Sequence, residues 1–358
     1  MSESEHIEPV EYRLKWGNWT GIVALAISLV LGTFILYLAY TLADEATNHG
    51  FFWQFYSPLL GYFVVAAICQ SHFFRTSPKP DISNSIRYFV SIGGAVTLFA
   101  TNELIFYLAG LYRADWMRSH FLWILLGFYM FGFDDFLFGG HLSRPLKYNS
   151  LKAALWYGII WIIFSIFGLA GVLSDGEKFN YFAGHYQWMV IILLMIAVQF
   201  REVIPQLPNL WKGFENPYIR GTVLTLSTII FGFILGEIAF HLNAWRFPEI
   251  SDSVNWHHSL YEGTYPLTPI IVLGLYTTWL SGIRGVWRRA LARTGMVFFL
   301  SFIFYLFFHL TLMKWEWAFN VHEEWYHQID LYWNFTVSII PLSWSWFCAR
   351  YGFVRSAH

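Results

Sequence analysis

Histidine and carboxylate side chains, spaced to share helix faces, are the groups best able to do chemistry in this 358-residue chain. The densest stretch is Trp315-Glu316-Trp317-Ala-Phe-Asn-Val-His322-Glu323-Glu324-Trp325-Tyr326-His327-Gln-Ile-Asp330. Glu323, His327 and Asp330 follow at intervals of four and three, which on a helix sets an imidazole between two carboxylates on one face. An imidazole so flanked suits a hard or intermediate divalent metal, or a proton relay. It is not the zinc-protease motif: His322 and His327 are five apart and diverge by about 140° around a helix. His258 and Glu262 repeat the four-residue interval inside Asn255-Trp256-His257-His258-Ser259-Leu260-Tyr261-Glu262, and His241 and His309 end apolar runs leading into these segments. His241, His257, His258, His309, His322 and His327, with Glu323 and Asp330, therefore form a candidate metal set for copper or iron, with zinc also chemically suited. Two other readings stay open at this point: histidines that cap helix ends or face lipid, and a path for ions or protons.

Four further acids, Glu103, Asp134, Asp135 and Glu237, fall inside apolar runs. An acid in hydrocarbon costs roughly 2.5–3.5 kcal/mol or more, so each should face another helix, a partner or a wet cavity. The two glutamates stand in similar words, Glu103-Leu-Ile-Phe-Tyr107-Leu and Glu237-Ile-Ala-Phe-His241-Leu, with Tyr305-Leu-Phe-Phe-His309-Leu as a third. Each word stacks two polar groups one turn apart and is followed by tryptophans. An internal duplication explains this, as does chance in an aromatic-rich chain. For the aspartates, a hydrogen bond to a neighbouring helix or an ion pair with Arg144 is the structural alternative.

The elements that must position these groups are membrane helices. Hydrophobic residues make up 56% of the chain and charged ones only 13%, about half the charge a soluble surface carries. Ten apolar segments approach the roughly 20 residues needed to span a bilayer: 19–42, 52–74, 86–111, 120–139, 153–173, 186–201, 220–243, 266–283, 293–313 and 332–349. They give an all-α polytopic bundle of five hairpins. All but Arg113, Arg118, Lys178, Arg246 and Lys314 of the 22 Lys and Arg residues fall on one side, which the positive-inside rule makes the cytoplasm, with both termini there. Twelve acids of the connections, from Asp44 and Glu45 to Glu324 and Asp330, fall on the other side, and nine histidines including His120 and His185 fall there or near its boundary. Residues 1–18 read as a cytoplasmic tail with an acidic start, 19–350 as the transmembrane domain, and 351–358 as a second cytoplasmic tail. The acidic start lacks the basic region of a cleavable signal peptide. The tryptophans, Trp245 and Trp256 among them, are expected along the membrane boundary. The expected localisation is a bacterial or archaeal cytoplasmic membrane. A net charge of −1 gives no field for nucleic acid, and two cysteines give no disulfide framework.

Several features recur in the order found in one known family. Lys15-Trp16-Gly-Asn-Trp19 precedes the first span; Pro58 and then Ala66-Ala67-Ile-Cys-Gln70-Ser71-His-Phe-Phe-Arg75 mark the second. Glu103 lies in the third, Asp134 or Asp135 in the fourth, and Gly236-Glu237 precedes Asn243-Ala-Trp245-Arg-Phe247-Pro248. In these features, over about a third of the chain, it resembles the A subunit of the copper membrane monooxygenases, the family of particulate methane and ammonia monooxygenases. The ten spans and longer C-terminal half depart from that pattern. The resemblance implies an outer-facing metal centre, a small hydrophobic substrate, and partner subunits that carry much of the metal binding. The expected function is a membrane-embedded, metal-dependent oxidoreductase or a subunit of one. An ion- or proton-coupled transporter or channel and a non-catalytic scaffold subunit are the alternatives.

Overall fold

The structure is a computed structural model that describes residues 19–42, 58–66, 84–108, 110, 116–142, scattered helical positions between 152 and 166, 176–199, 203–275, 280, 283–310 and 333–340. Every extended element among them is helical. In chain order they are α1 (Trp19–Leu42), α2 (58–66), α3 (Asn84–Leu108), α4 (Trp116–Gly132), α5 (Gly176–Gln199), α6 (Pro217–Arg246), α7 (Asp252–Glu262), α8 (Leu267–Leu275), α9 (Val286–Leu310) and α10 (333–340). Among the described residues, Phe89–Leu108 of α3 and the whole of α6 and α9 are long and apolar enough to cross a membrane. Leu25–Leu38 and Tyr181–Ile196 are shorter apolar stretches of α1 and α5.

The long helices turn large apolar side chains outward: Phe89, Leu104 and Leu108 on α3, Ile230, Phe231 and Ile238 on α6, Leu291, Phe299 and Phe302 on α9. Contiguous apolar surface of this kind is not stable against water, and lipid chains are the solvent that suits it. The interior is a second apolar layer in which Tyr62, Phe106, Trp123, Phe304, Phe308 and Trp333 are almost fully enclosed. Hydroxyl and amide groups stitch it together. Trp333 Nε1 donates to Thr33 Oγ1 at 3.0 Å, Asn334 Nδ2 to Thr264 Oγ1 at 2.9 Å, and Thr268 and Ser338 share a 2.8 Å bond. Arg293, 1% exposed, donates from Nη2 to the Leu273 carbonyl of α8 at 2.9 Å.

The helix boundaries depart from the expected spans in informative ways. α5 starts at Gly176, ten residues before 186, because its first turns are too polar for a hydropathy signal but are held by aromatic contacts. The helix within 266–283 is described only to Leu275, and Leu280 has a φ of 65°, a left-handed value that an uninterrupted helix does not contain. The segment 255–262, read as a loop, is helical within α7. α6 begins where Asn216 Oδ1 accepts from Tyr218 N at 2.9 Å and Pro217 supplies the first turn, a standard N-cap.

α5 packs most extensively along α6, with α7 and α4 beside it. The α6 face toward α5 carries Gly232, Gly236, Ala239 and Asn243. Gly232-xxx-Gly236 lets two backbones approach as small-residue pairs do in membrane helix dimers. A methyl group at Gly232 would sit 2.7 Å from Met189 Cα and 2.8 Å from its backbone N, so no side-chain rotation could make room. Gly232→Ala is expected to destabilise the full-length protein by about 1–3 kcal/mol, the cost of overpacking. Gly295→Ala, which would meet no atom within 4 Å, is expected to be near neutral or slightly stabilising. Thermal unfolding in detergent compares the two; equal behaviour would contradict the close α5–α6 approach.

Candidate functional site

Glu103 and Glu237, the two glutamates within the apolar runs, each face a histidine. Phe99 and Glu103 are one turn apart on α3, as Phe233 and Glu237 are on α6, and side chains at that interval share a helix face. In each case the phenyl ring supports the imidazole and the carboxylate meets it. The His120 ring stacks on Phe99 at 4.9 Å and 3°, and its Nε2 is 2.7 Å from Glu103 Oε1. The His185 ring stacks on Phe233 at 4.3 Å and 27°, and its Nε2 is 3.3 Å from Glu237 Oε1. His120 and His185 are both buried.

The two pairs hold their protons differently. Asn102 Nδ2 donates to the Tyr62 hydroxyl, which leaves that O–H to donate to His120 Nδ1 at 2.9 Å. The ring proton then lies on Nε2 and is donated to Glu103. Amide, phenol, imidazole and carboxylate thus form one directional chain in which the neutral imidazole satisfies both neighbours.

His185 is reversed. Its Nδ1 is 2.8 Å from the Tyr181 carbonyl oxygen, which only accepts, so Nδ1 carries the ring proton. In the neutral ring Nε2 presents a lone pair, and the group facing it is the Glu237 carboxylate. Nε2 is enclosed and, among the described residues, makes no hydrogen bond. Two acceptors 3.3 Å apart repel unless a proton is added to one of them. The other oxygen, Oε2, is 3.8 Å from His241 Nε2. Glu237 and His241 are 43% and 74% exposed, so the carboxylate bridges a buried imidazole and an open one.

Trp256 closes the buried side of this site. Its ring stacks on Phe240 at 4.5 Å and contacts His185 at 4.5 Å and Tyr181 at 4.9 Å. Trp245, 82% exposed, lies on the surface, whereas Trp256, 6% exposed, is packed inside. α7 folds back over α5 and α6 and carries that ring inward.

The other anticipated residues are dispersed. His258 is buried with Phe247 edge-on at 5.5 Å. Glu262 accepts from Asn243 Nδ2 at 3.0 Å and lies 3.9 Å from Arg246 Nη1. His309 lies among Tyr305, Phe308 and Tyr265, with ring centroids at 4.1, 5.6 and 6.3 Å. Asp134 closes a helix end: its Oδ1 accepts from Leu142 N at 2.9 Å, across a π-helical turn at Phe133–Leu137 and a reversal at Gly139 and Gly140, φ 62° and 74°. The side chains of Asp135 and His257, and all of His322, Glu323, His327 and Asp330, lie outside the described residues. Among the described residues no three His, Cys, Asp or Glu side chains gather so as to hold a metal ion.

His120 and His185 are absent from the metal set expected from the sequence, although each lies at or beside the start of an expected span. The signal for them was the doubled Phe-xxx-Glu interval, Phe99/Glu103 and Phe233/Glu237. No protein-family model matches the chain, and no solved structure matches it.

Glu262 lies beyond the α6 span. Burial raises its carboxyl above the usual glutamate value, opposed by the Asn243 hydrogen bond and the Arg246 charge. The folded chain therefore binds this proton more tightly than the unfolded chain, and stability falls as pH rises through the interval between the two values. Glu262→Gln is expected to flatten that part of a stability-versus-pH curve measured by thermal unfolding. An unchanged slope would contradict the assignment.

Proposed function

We propose that the chain is a proton-handling membrane protein, a proton-coupled transporter or channel, with Glu237 as its exchange group. The reading takes the ten segments as spans with both termini cytoplasmic, which sets the Glu237 and Glu103 pairs in the outer part of the bilayer. One observation carries it: the His185 Nε2 lone pair facing the Glu237 carboxylate at 3.3 Å, with the opposite imidazole proton fixed on the Tyr181 carbonyl. A proton is the smallest species that reconciles these two groups. His241 offers the route outward, since it meets the other carboxylate oxygen and is open to its surroundings. The Glu103 pair differs in that Tyr62 and Asn102 already satisfy the imidazole's second nitrogen; it serves as the fixed counterpart.

A second reading is the copper- or iron-dependent oxidoreductase, acting on a small hydrophobic substrate, that the monooxygenase resemblance implies. The bare His185 Nε2 favours it, being a free imidazole donor beside a carboxylate. It needs further donors from the segment holding His322, Glu323, His327 and Asp330. Elemental analysis of the purified full chain separates the readings: about one metal atom per chain, lost in His241→Ala, supports the second.

Reconstituted into liposomes with an imposed pH gradient and followed by an interior pH dye, the wild-type protein is expected to dissipate the gradient. Glu237→Gln is expected to slow this on the order of a hundredfold, as loss of a proton-transfer group does, while Glu103→Gln retains most of the rate. Dissipation no faster than in protein-free liposomes, or unchanged by Glu237→Gln, would reject the proposal.

A further inference from the structure

A cleft of about 340 Å³ opens between the C-terminal halves of α6 and α9, beneath the end of α7. It is separate from the His185 face of α6. Its deeper wall is apolar, formed by Leu242, Phe298 and Phe302, all exposed. Its mouth carries two opposite charges, Arg246 and Glu262. Their closest atoms are 3.9 Å apart, at the edge of ion-pairing distance, and both remain partly open, at 47% and 27%. Other groups hold each in place. Arg246 Nη1 donates to the Tyr305 hydroxyl, and its guanidinium lies 4.7 Å from the Phe247 ring centroid and 5.6 Å from that of Tyr305. Glu262 Oε2 accepts from Asn243.

The cleft therefore has a charged end and a greasy end, aligned with helices that run through the bilayer. A purely apolar molecule would leave the two charges facing its end. A ligand with an anionic head would meet Arg246 and be repelled by Glu262; one with a cationic head would meet the reverse. A head carrying both signs satisfies both residues, and a chain attached to it follows the apolar wall toward the middle of the bilayer. We propose that this cleft binds a zwitterionic phospholipid, its phosphate on Arg246, its ammonium on Glu262 and an acyl chain along Leu242, Phe298 and Phe302. Burial of Glu262 without a full counter-charge, which raises its carboxyl, is the state that a lipid ammonium relieves. The inference needs the chain to be membrane-embedded but does not depend on proton handling by Glu237.

Native mass spectrometry of the full-length, delipidated protein, titrated with phosphatidylethanolamine or phosphatidylglycerol of identical acyl chains, tests it. The wild type is expected to prefer phosphatidylethanolamine by roughly five- to tenfold, the worth of one partly buried charge contact. Glu262→Gln, close to isosteric, is expected to reverse or abolish that preference, since only the cation remains to be satisfied. Arg246→Gln is expected to weaken both lipids and the anionic one most. Equal binding of the two lipids by the wild type, or a preference for phosphatidylethanolamine that survives Glu262→Gln, would overturn the proposal. Phosphatidylcholine in a third titration separates a requirement for a hydrogen-bonding ammonium from one for any zwitterion; either result supports the cleft, and failure of all three lipids to bind overturns it.

Discussion

A carboxylate and an imidazole lone pair set face to face between two apolar helices need a proton between them. Glu237 and His185 stand in this relation because the other imidazole nitrogen is spent on the Tyr181 carbonyl. The surroundings follow from holding the ring there. Phe233 supports one face, Trp256 and Tyr181 close around the ring, and Gly236 leaves the space that a side chain would have taken from His185. At Glu103 the same Phe-xxx-Glu grip is closed off by a phenol and an amide instead. One packing device thus supports two electrostatic outcomes, decided by what the second ring nitrogen meets.

This device depends on close helix contact. Helices in lipid gain little from burying apolar surface against each other, so packing and polar contacts must hold them. The α5–α6 pair uses small residues on α6 to bring the backbones together, and this proximity carries His185 to Glu237. α7 adds a cover that no lipid chain could supply, with Trp256 turned inward and Glu262 reaching Asn243 on α6. Polar bonds deeper in the bundle, such as Thr268 with Ser338, fix α10 among its neighbours in the same way.

Much of the helical architecture was legible in the chain, because helix length and apolar content are local properties. The segments at 86–111, 220–243 and 293–313 correspond to long apolar helices, and Glu103 and Glu237 stood out as acids that needed a partner. The partners did not stand out. His120 and His185 are ordinary residues in sequence, and only tertiary contact turns them toward a carboxylate. Trp256 and Trp245 look alike in sequence yet end on opposite sides of the packing: Trp245 is exposed in the last turn of α6, while α7 turns Trp256 inward. The partner of Asp134 was hidden in the same way, since nothing local shows that the chain reverses at Gly139 and Gly140 and sends a backbone N–H back to it. The aromatic neighbours of His309, Tyr265, Tyr305 and Phe308, likewise come partly from α9 itself and partly from a distant segment.

Nitrogen NMR of the imidazoles in the full-length protein in bilayers reports the central relation directly. The account predicts that His185 keeps its proton on Nδ1 while its Nε2 resonance changes sharply in Glu237→Gln; His120 shows the opposite neutral tautomer, protonated on Nε2. A His185 ring that is protonated on Nε2 and bare on Nδ1, with resonances indifferent to Glu237→Gln, would contradict it.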